Sequence, residues 1–98
     1  YYYESIGKAW DKAQASGAVS LDERVDLRLA ATHAVRTCAN VTRAMCDLGG
    51  GSSVFLSSSL QRRFRDAFVG AQHMMIAPQT YEFTGRALMG LPTDASFL

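Results

Sequence analysis

Hydrophobic side chains in the middle of the chain recur at alternating steps of four and three residues, the spacing that places them on one face of an α-helix. The hydrophobic row consists of Leu27, Ala31, Ala34, Cys38, Val41, Met45 and Leu48. Polar residues lie off this row: Arg24, Arg28, Arg36, Asn40, Arg43 and Asp47. The pattern predicts a helix of about 28 residues, about 40 Å long, with one buried stripe.

Local sequence signals predict where this helix begins and ends. Ser20 and Glu23 have the spacing of a capping box, in which each side chain accepts a hydrogen bond from the backbone N–H of the other residue. The glycines at 49–51, followed by two serines, predict its end. Residues 1–15 form an earlier predicted helix, which ends near Ser16-Gly17 because glycine favours the position just after a helix.

The second half of the chain continues the helical pattern. Three serines at 57–59 offer hydroxyl groups that can cap a helix. The four-three spacing then runs through Leu60, Phe64, Ala67, Ala71 and Met74. Pro78 removes a backbone donor, which predicts a break just before it, a shorter helix over about 78–88 and an extended tail. The expected fold class is all-α, a partial antiparallel helical bundle.

Composition narrows the classes of partner. A net charge of +1, with basic residues spread along the chain, gives no footprint for nucleic acid. No stretch reaches the roughly 18 consecutive apolar residues of a membrane span. We therefore expect neither nucleic acid nor a membrane as partner. The two histidines lie far from any second ligand in the sequence, so no metal site is expected either.

The cysteines and the first residue indicate where the protein is located and whether the chain is part of a longer one. Cys38 and Cys46 fall about 12 Å apart along one predicted helix, too far to form a disulfide with each other. Reduced cysteines suit a cytoplasmic protein. The chain begins at Tyr1 and not at methionine. We therefore expect residues 1–98 to be a fragment of a longer protein that needs partner helices to complete its core.

Three polar residues are the main candidates for chemistry. If one helix continues past residue 73, then Asp66 and His73 lie about 40° and 20° round from Arg62, so that a cation, a carboxylate and an imidazole share a face. The alternative is a solvated charged face. His73 could bind a ligand or satisfy a buried carbonyl group. For His33, which stands one turn from Leu29, a packing or surface role is favoured.

The glycine run is the second candidate. Gly49, Gly50, Gly51 and Ser52 could cradle an anion with their backbone N–H groups. The run lacks the G-K-[ST] of a phosphate-binding loop and the strand context of a dinucleotide fingerprint, so on its own a loop that ends a helix is favoured. Glu82 could be a general base, although an isolated helix carboxylate is usually solvated.

A family resemblance joins these features. The segments Asp47-Leu48-Gly49-Gly50-Gly51-Ser52 and Ser59-Leu60-Gln61-Arg62-Arg63-Phe64-Arg65-Asp66, with His73, resemble the C-terminal helical domain of flavin-dependent monooxygenases that have the acyl-CoA dehydrogenase fold. The resemblance covers about residues 21–92. Related members commonly have proline where Ser59 stands. Acyl-CoA dehydrogenases often carry a catalytic glutamate eight residues after the aspartate of their Arg-Asp motif, and Met74 stands there in this chain, which favours the monooxygenase branch.

The resemblance implies roles for these residues. It implies a reduced flavin, FMN or FAD, delivered by a separate flavin reductase, which reacts with dioxygen so that one oxygen atom reaches a small organic substrate. His73 would be the catalytic residue beside the flavin ring. Gly49, Gly50, Gly51, Ser52 and Arg62 would bind the cofactor. It also implies a homo-oligomer, a tetramer, in which residues 1–98 are part of the C-terminal helical-bundle domain and are inactive alone.

Two other functions remain open at this stage. The chain could be a noncatalytic helical association module, in which the hydrophobic rows bind partner helices and the Arg-Asp-His stripe is polar surface. It could also be part of an acyl-CoA dehydrogenase, which the methionine in place of the glutamate disfavours. Flavin titration of the intact protein distinguishes the association module from the monooxygenase. An electron-acceptor assay distinguishes the acyl-CoA dehydrogenase from the monooxygenase.

Overall fold

All regular secondary structure of the chain is helical in a computed structural model that describes residues 1–98. Four α-helices follow one another: α1 (Tyr2–Ser16), α2 (Leu21–Gly49), α3 (Ser59–Gly70) and α4 (Gln79–Leu88). Three short 3₁₀ helices lie between and after them: Gly50–Val54, Met74–Ile76 and Ala95–Phe97. There is no β-strand, so the all-α prediction is confirmed.

The ends of α1 and α2 follow the sequence signals. The backbone N–H of Glu23 donates to Ser20 Oγ at 3.3 Å, and the backbone N–H of Ser20 donates to Glu23 Oε2 at 2.8 Å. This is the predicted capping box. Gly17 follows α1 with φ of 77°, and Gly50 follows α2 with φ of 62°. Both helices therefore stop where a glycine adopts a backbone conformation that other residues avoid.

Helix α2 is the central element, and the other three helices pack along it. At its C-terminal end, Leu60 contacts the end of α2, since Cys46 Sγ lies 3.5 Å from the Leu60 carbonyl oxygen. Further back along α2, Arg36 donates to the carbonyl of Ala71, just beyond α3. Helix α3 therefore runs antiparallel to α2, as the bundle prediction requires.

The predicted buried stripe of α2 is largely wrong for this chain. The row is half-buried at Leu27, Ala31 and Ala34, but further along the helix Val41 is 52% exposed and Leu48 is 79% exposed. The buried residues of α2 are Val25, Ala30 and Thr32.

The face of α2 that packs on the other elements carries arginines. Arg24, Arg28 and Arg36 all donate hydrogen bonds to backbone carbonyls of the segments that follow α3. Long arginine stems cover apolar surface while their heads bond to carbonyl groups at helix ends. A polar residue type therefore does not mark a solvent face in this helix, and the sequence prediction failed for that reason.

Helix α3 is shorter than the spacing predicted. It ends at Gly70, and His73 lies in extended backbone with ψ of 135° before the helix Met74–Ile76. Tight turn bonds, from the Gln72 N–H to the Val69 carbonyl and from the His73 N–H to the Gly70 carbonyl, replace the helical ones. Glycine is a poor helix former, and Pro78 requires extended backbone at Ala77. Arg62, Asp66 and His73 therefore do not share one helix face, and that prediction is wrong.

The remaining boundaries show a mixture of outcomes. Helix α3 starts at Ser59, within the serine run predicted to cap it, but the capping residue Ser58 makes no side-chain hydrogen bond to it. Helix α4 begins directly after Pro78, as predicted. The tail is not extended: the Phe97 ring stacks on Phe83 with ring centroids 5.3 Å apart, and Leu98 is buried.

The shape of the chain leaves much of it uncovered. Its radius of gyration is 16.9 Å, against about 13 Å for a compact domain of this length. Only 10 of the 98 residues are buried, so the chain alone has a small core. Cys38 and Cys46 are both unpaired, as predicted. None of the helices combines the length and the apolar character needed to cross a bilayer.

Candidate functional site

A cavity of about 270 Å³ lies beside His73. It is formed where α2, α4 and the two 3₁₀ helices Met74–Ile76 and Ala95–Phe97 meet. Its lining combines one arginine, one histidine, two hydroxyl groups, two methionines and two phenylalanines: Arg28, His73, Met74, Met75, Thr80, Phe83, Ser96 and Phe97. We call it the His73 cavity. It is mostly apolar with a few polar groups, which is the usual make-up of a small-ligand site.

His73 has one ring nitrogen engaged and one available. Its Nδ1 accepts a hydrogen bond from the backbone N–H of Met75 at 3.2 Å. A neutral imidazole that accepts at Nδ1 carries its hydrogen on Nε2. The fold therefore sets the tautomer of His73 and leaves Nε2–H as a donor for a ligand. The residue is exposed in this chain and lies at the edge of the cavity.

Arg28 is a residue of this cavity that the sequence prediction missed. Its Nη1 donates to the carbonyl oxygen of Met75 at 3.0 Å, while its buried Nε has no hydrogen-bond partner. No carboxylate lines the cavity. The spacing of four residues between Arg24, Arg28 and Thr32 places them on one side of the helix and could have indicated a shared face.

A buried pair of threonines positions α4 at this cavity. The Thr80 hydroxyl donates to the Ala77 carbonyl at 2.7 Å, and Thr32 Oγ1 lies 2.8 Å from Thr80 Oγ1. A hydroxyl has a single hydrogen, so Thr32 must be the donor to Thr80. This ordered chain of hydrogen bonds fixes the beginning of α4 against α2, and with it one wall of the His73 cavity.

The glycine loop is explained in part by packing. A Cβ atom on Gly49 would lie 3.0 Å from the Leu60 side chain, and Gly50 requires its positive φ. A Cβ atom on Gly51 would meet open space. The Ser52 hydroxyl donates to the Gly49 carbonyl at 2.8 Å, which closes the loop on itself. The fold therefore requires glycine at position 50 whether or not the loop binds a cofactor, whereas a side chain at position 49 would need only a small shift of the Leu60 side chain.

Arg62 lies in a groove on the outer side of α3. The groove measures about 310 Å³ and is lined by Ser59, Arg62, Arg63 and Asp66. The side chains of Arg62 and Asp66 are both exposed, and they do not form an ion pair with each other. The ion pair of this chain joins Lys12 and Glu23. The groove thus carries two cations against one anion. We call it the Arg62 groove.

The structure separates the candidate residues into two groups. The glycine loop and Arg62 lie near the beginning of α3, whereas His73 follows its end. The whole of α3, between the glycine loop and His73, spans about 18 Å, and its part from Arg62 to Gly70 spans about 12 Å. The predicted cofactor-binding residues and the predicted catalytic residue are therefore brought to two ends of one helix and not to one point. Glu82, the other candidate base, lines neither the His73 cavity nor the Arg62 groove.

Comparison with known proteins identifies relatives of this chain. Residues 2–78 match the family model described as acyl-CoA dehydrogenase, C-terminal domain. An indole-3-acetate monooxygenase from Pseudomonas putida is 37% identical over 90 residues, which are 92% of this chain and 23% of that protein. An indole-3-acetate monooxygenase from Acinetobacter baumannii is 30% identical over 98 residues, 100% of this chain and 25% of that protein. The chain thus spans about a quarter of the length of these relatives.

Proposed function

Because this chain belongs to the family of acyl-CoA dehydrogenase C-terminal domains, we propose that it is the C-terminal helical part of a flavin-dependent monooxygenase. The relatives that carry the name indole-3-acetate monooxygenase support an aromatic substrate of the indole type. The His73 cavity carries the proposal, because it places a hydrogen-bond donor beside an apolar pocket. Remaining walls of the site would come from the rest of the protein.

The chemistry of two regions fits a flavin nucleotide and the substrate beside it. The Arg62 groove offers two guanidinium groups and a serine hydroxyl, which suit a phosphate. The His73 cavity offers methionine and phenylalanine side chains, which suit the aromatic ring of a small substrate held beside the flavin. Gly49, Gly50, Gly51 and Ser52 would contact the nucleotide with their backbone. A bound reduced flavin would supply the two electrons that activate dioxygen, with one oxygen atom passing to the substrate and the other leaving as water.

His73 would act in this reaction through its free nitrogen. Because Nδ1 is held by the Met75 N–H, the hydrogen on Nε2 is directed by the backbone and not by solvent. It would donate a hydrogen bond to the reacting oxygen or position the substrate. The methionine and phenylalanine side chains around it would exclude water, which otherwise promotes release of hydrogen peroxide without product.

The experiment uses the intact parent protein with reduced flavin, oxygen and indole-3-acetate. We expect His73→Ala to lower the ratio of oxygenated product to hydrogen peroxide at least tenfold. Without the hydrogen bond from His73, the reacting oxygen is no longer positioned for transfer to the substrate, and more of it is released as peroxide. His33→Ala is the matched control, since His33 is an exposed histidine on α2 outside the cavity. An unchanged ratio in His73→Ala, or equal losses in both variants, contradicts the role of His73.

The assembly and supply of the enzyme complete the proposal. Val41, Met45 and Leu48 expose a hydrophobic stripe that further helices would cover, which supports a homo-oligomer, a tetramer. We propose a separate reductase as the source of reduced flavin. Titration of the intact protein with FMN and with FAD would show which of the two flavins binds. The two unpaired cysteines favour a cytoplasmic location.

The exposed stripe also favours the second candidate, a noncatalytic association module. In that case the stripe binds partner helices and the cavity binds nothing. Equilibrium titration of the intact protein with reduced flavin separates the two: saturable binding supports the enzyme, and its absence supports the module. For an acyl-CoA dehydrogenase, Met74 stands where a base is needed and cannot accept a proton.

A further inference from the structure

We propose that Arg28 binds the carboxylate group of the substrate in the His73 cavity. The inference rests on the proposed function and names the residue that would recognise one end of the substrate. It makes the enzyme selective for small aromatic carboxylic acids over neutral compounds with the same ring. Four observations support it: the state of the Arg28 guanidinium, the absence of an acidic neighbour, the stacked rings and the volume.

The Arg28 guanidinium has an unfilled position. One of its nitrogens is bonded to the Met75 carbonyl, and its Nε is shielded from solvent with no partner in the chain. Buried N–H groups are nearly always hydrogen-bonded, so an unpaired one indicates a missing acceptor. Arg24, one turn earlier, differs: its Nε and Nη2 both donate to backbone carbonyls at 3.3 and 2.6 Å.

The missing acceptor is best supplied by an anion. Arg28 forms no ion pair, and no aspartate or glutamate lines the cavity. A partly buried cation without a counter-charge is unfavourable, and an arginine binds a carboxylate through parallel N–H donors. His73 Nε2–H lines the same cavity and is a neutral donor, which adds no competing negative charge.

The other walls suit an aromatic ring. Phe83 and Phe97 stack with centroids 5.3 Å apart and an angle of 9° between their planes, and both line the cavity. Met74 and Met75 add flexible apolar contacts. The volume of about 270 Å³ lies just under the usual range of ligand pockets, which suits a small ligand. The cavity therefore has a cationic part and an apolar part, as an aromatic acid does.

The experiment compares an acid with a neutral analogue in the full-length parent protein. Affinities for indole-3-acetate and for 3-methylindole, which lacks the carboxylate, are measured by calorimetry without added flavin. We expect Arg28→Gln to weaken binding of the acid at least tenfold and to change binding of 3-methylindole less than twofold. Arg28→Lys keeps the charge but not the forked donors, and we expect an intermediate loss.

Arg36→Gln is the matched control for structural damage. Arg36 lies two turns further along α2, also donates to a backbone carbonyl and does not line the cavity. We expect this variant to bind both compounds like the wild type. Thermal unfolding by circular dichroism shows whether each variant is folded. If Arg28→Gln unfolds, Arg28→Lys carries the test, and a loss confined to the acid supports the proposal.

Failure of this proposal is distinguishable from failure of the proposed function. If the parent oxygenates indole-3-acetate but both Arg28 variants keep the wild-type preference for the acid, the inference about Arg28 is overturned alone. Equal weakening of acid and neutral analogue also overturns it. If the parent binds no flavin but shows the Arg28-dependent preference, the carboxylate site stands and the monooxygenase proposal fails.

Discussion

The two halves of α2 are built alike in sequence but are covered differently. The N-terminal half lies between α1 on one side and α4 with the C-terminal residues on the other, and it contains Val25, Ala30 and Thr32, the buried residues of the helix. The C-terminal half contacts α3 and the glycine loop and leaves Val41, Met45 and Leu48 exposed. Within this chain the first half is largely covered, whereas the second half leaves its hydrophobic row exposed.

The largest expected difference between the two halves of α2 is their response to a charge introduced by mutation. Val25→Asp places a carboxylate at a position that is 3% exposed, and we expect it to destabilise the folded subunit by about 3 kcal/mol or more. Val41→Asp, at 52% exposure, should change subunit stability by about 0.5 kcal/mol or less and instead reduce the molecular mass of the assembly. Urea unfolding and light scattering of the parent protein measure the two effects. Equal effects at both positions would contradict the comparison.

The threonine chain tests the covered half more finely. Thr80→Val removes the acceptor of Thr32 and the donor to the Ala77 carbonyl, and should cost about 1–3 kcal/mol of unfolding free energy. Thr32→Val removes only a donor and should cost less. The double variant should cost less than the sum of the two. Urea denaturation of the three variants gives these values, and a larger loss in Thr32→Val would reverse the assigned direction of the hydrogen bond.

The C-terminal half of α2 ends at a glycine whose backbone conformation contributes to stability. Gly50→Ala forces an L-residue into φ of 62° and should destabilise by about 1–2 kcal/mol. Gly51→Ala, where a Cβ meets open space and φ is not positive, should be nearly neutral. Thermal unfolding compares them. If the loop binds flavin through its backbone, Gly51→Ala weakens flavin affinity while stability stays unchanged.

The smallest expected effect is a pH dependence in the covered half. Hydrogen bonds from Ser5 and from Tyr1 lower the pKa of Asp26 below its ordinary value of 3.8. A lowered pKa in the folded state stabilises the fold above the ordinary value, and this contribution is lost as the pH falls through the lowered pKa. We therefore expect α1 to loosen from α2 below about pH 4.

Asp26→Asn measures this contribution. The variant removes the titrating carboxyl group, so its unfolding free energy should change less between about pH 6 and about pH 3 than that of the wild type. Hydrogen exchange of the backbone amides of α1 reports the loosening. The same slope in both proteins would show that other acidic groups account for the acid sensitivity.

Local features of the sequence predicted the fold well. The capping box at Ser20 and Glu23, the glycine after α1 and the proline before α4 each act on the nearest turn of backbone. Such effects need no knowledge of distant residues. Helix order, the antiparallel course of α3 and the all-α class followed from them.

Features that depend on distant packing were not predicted. The face of α2 that is buried depends on which carbonyl groups the arginines meet, and those belong to residues 71–98. The early end of α3 places His73 outside the helix, so a spacing argument along one helix could not locate it. Arg28 shows the same limit, because its role follows from an unpaired atom beside a cavity formed by segments far apart in sequence.

Arg24 ties the tail to the beginning of α2 across most of the chain. Its guanidinium bonds to the carbonyls of Ala95 and Leu98, which are 71 and 74 residues later. A ribosome therefore makes the long helix well before the residues that seal the cavity beside it. The C-terminal residues can dock only after their synthesis and must close a long loop, so this wall of the His73 cavity forms late in folding.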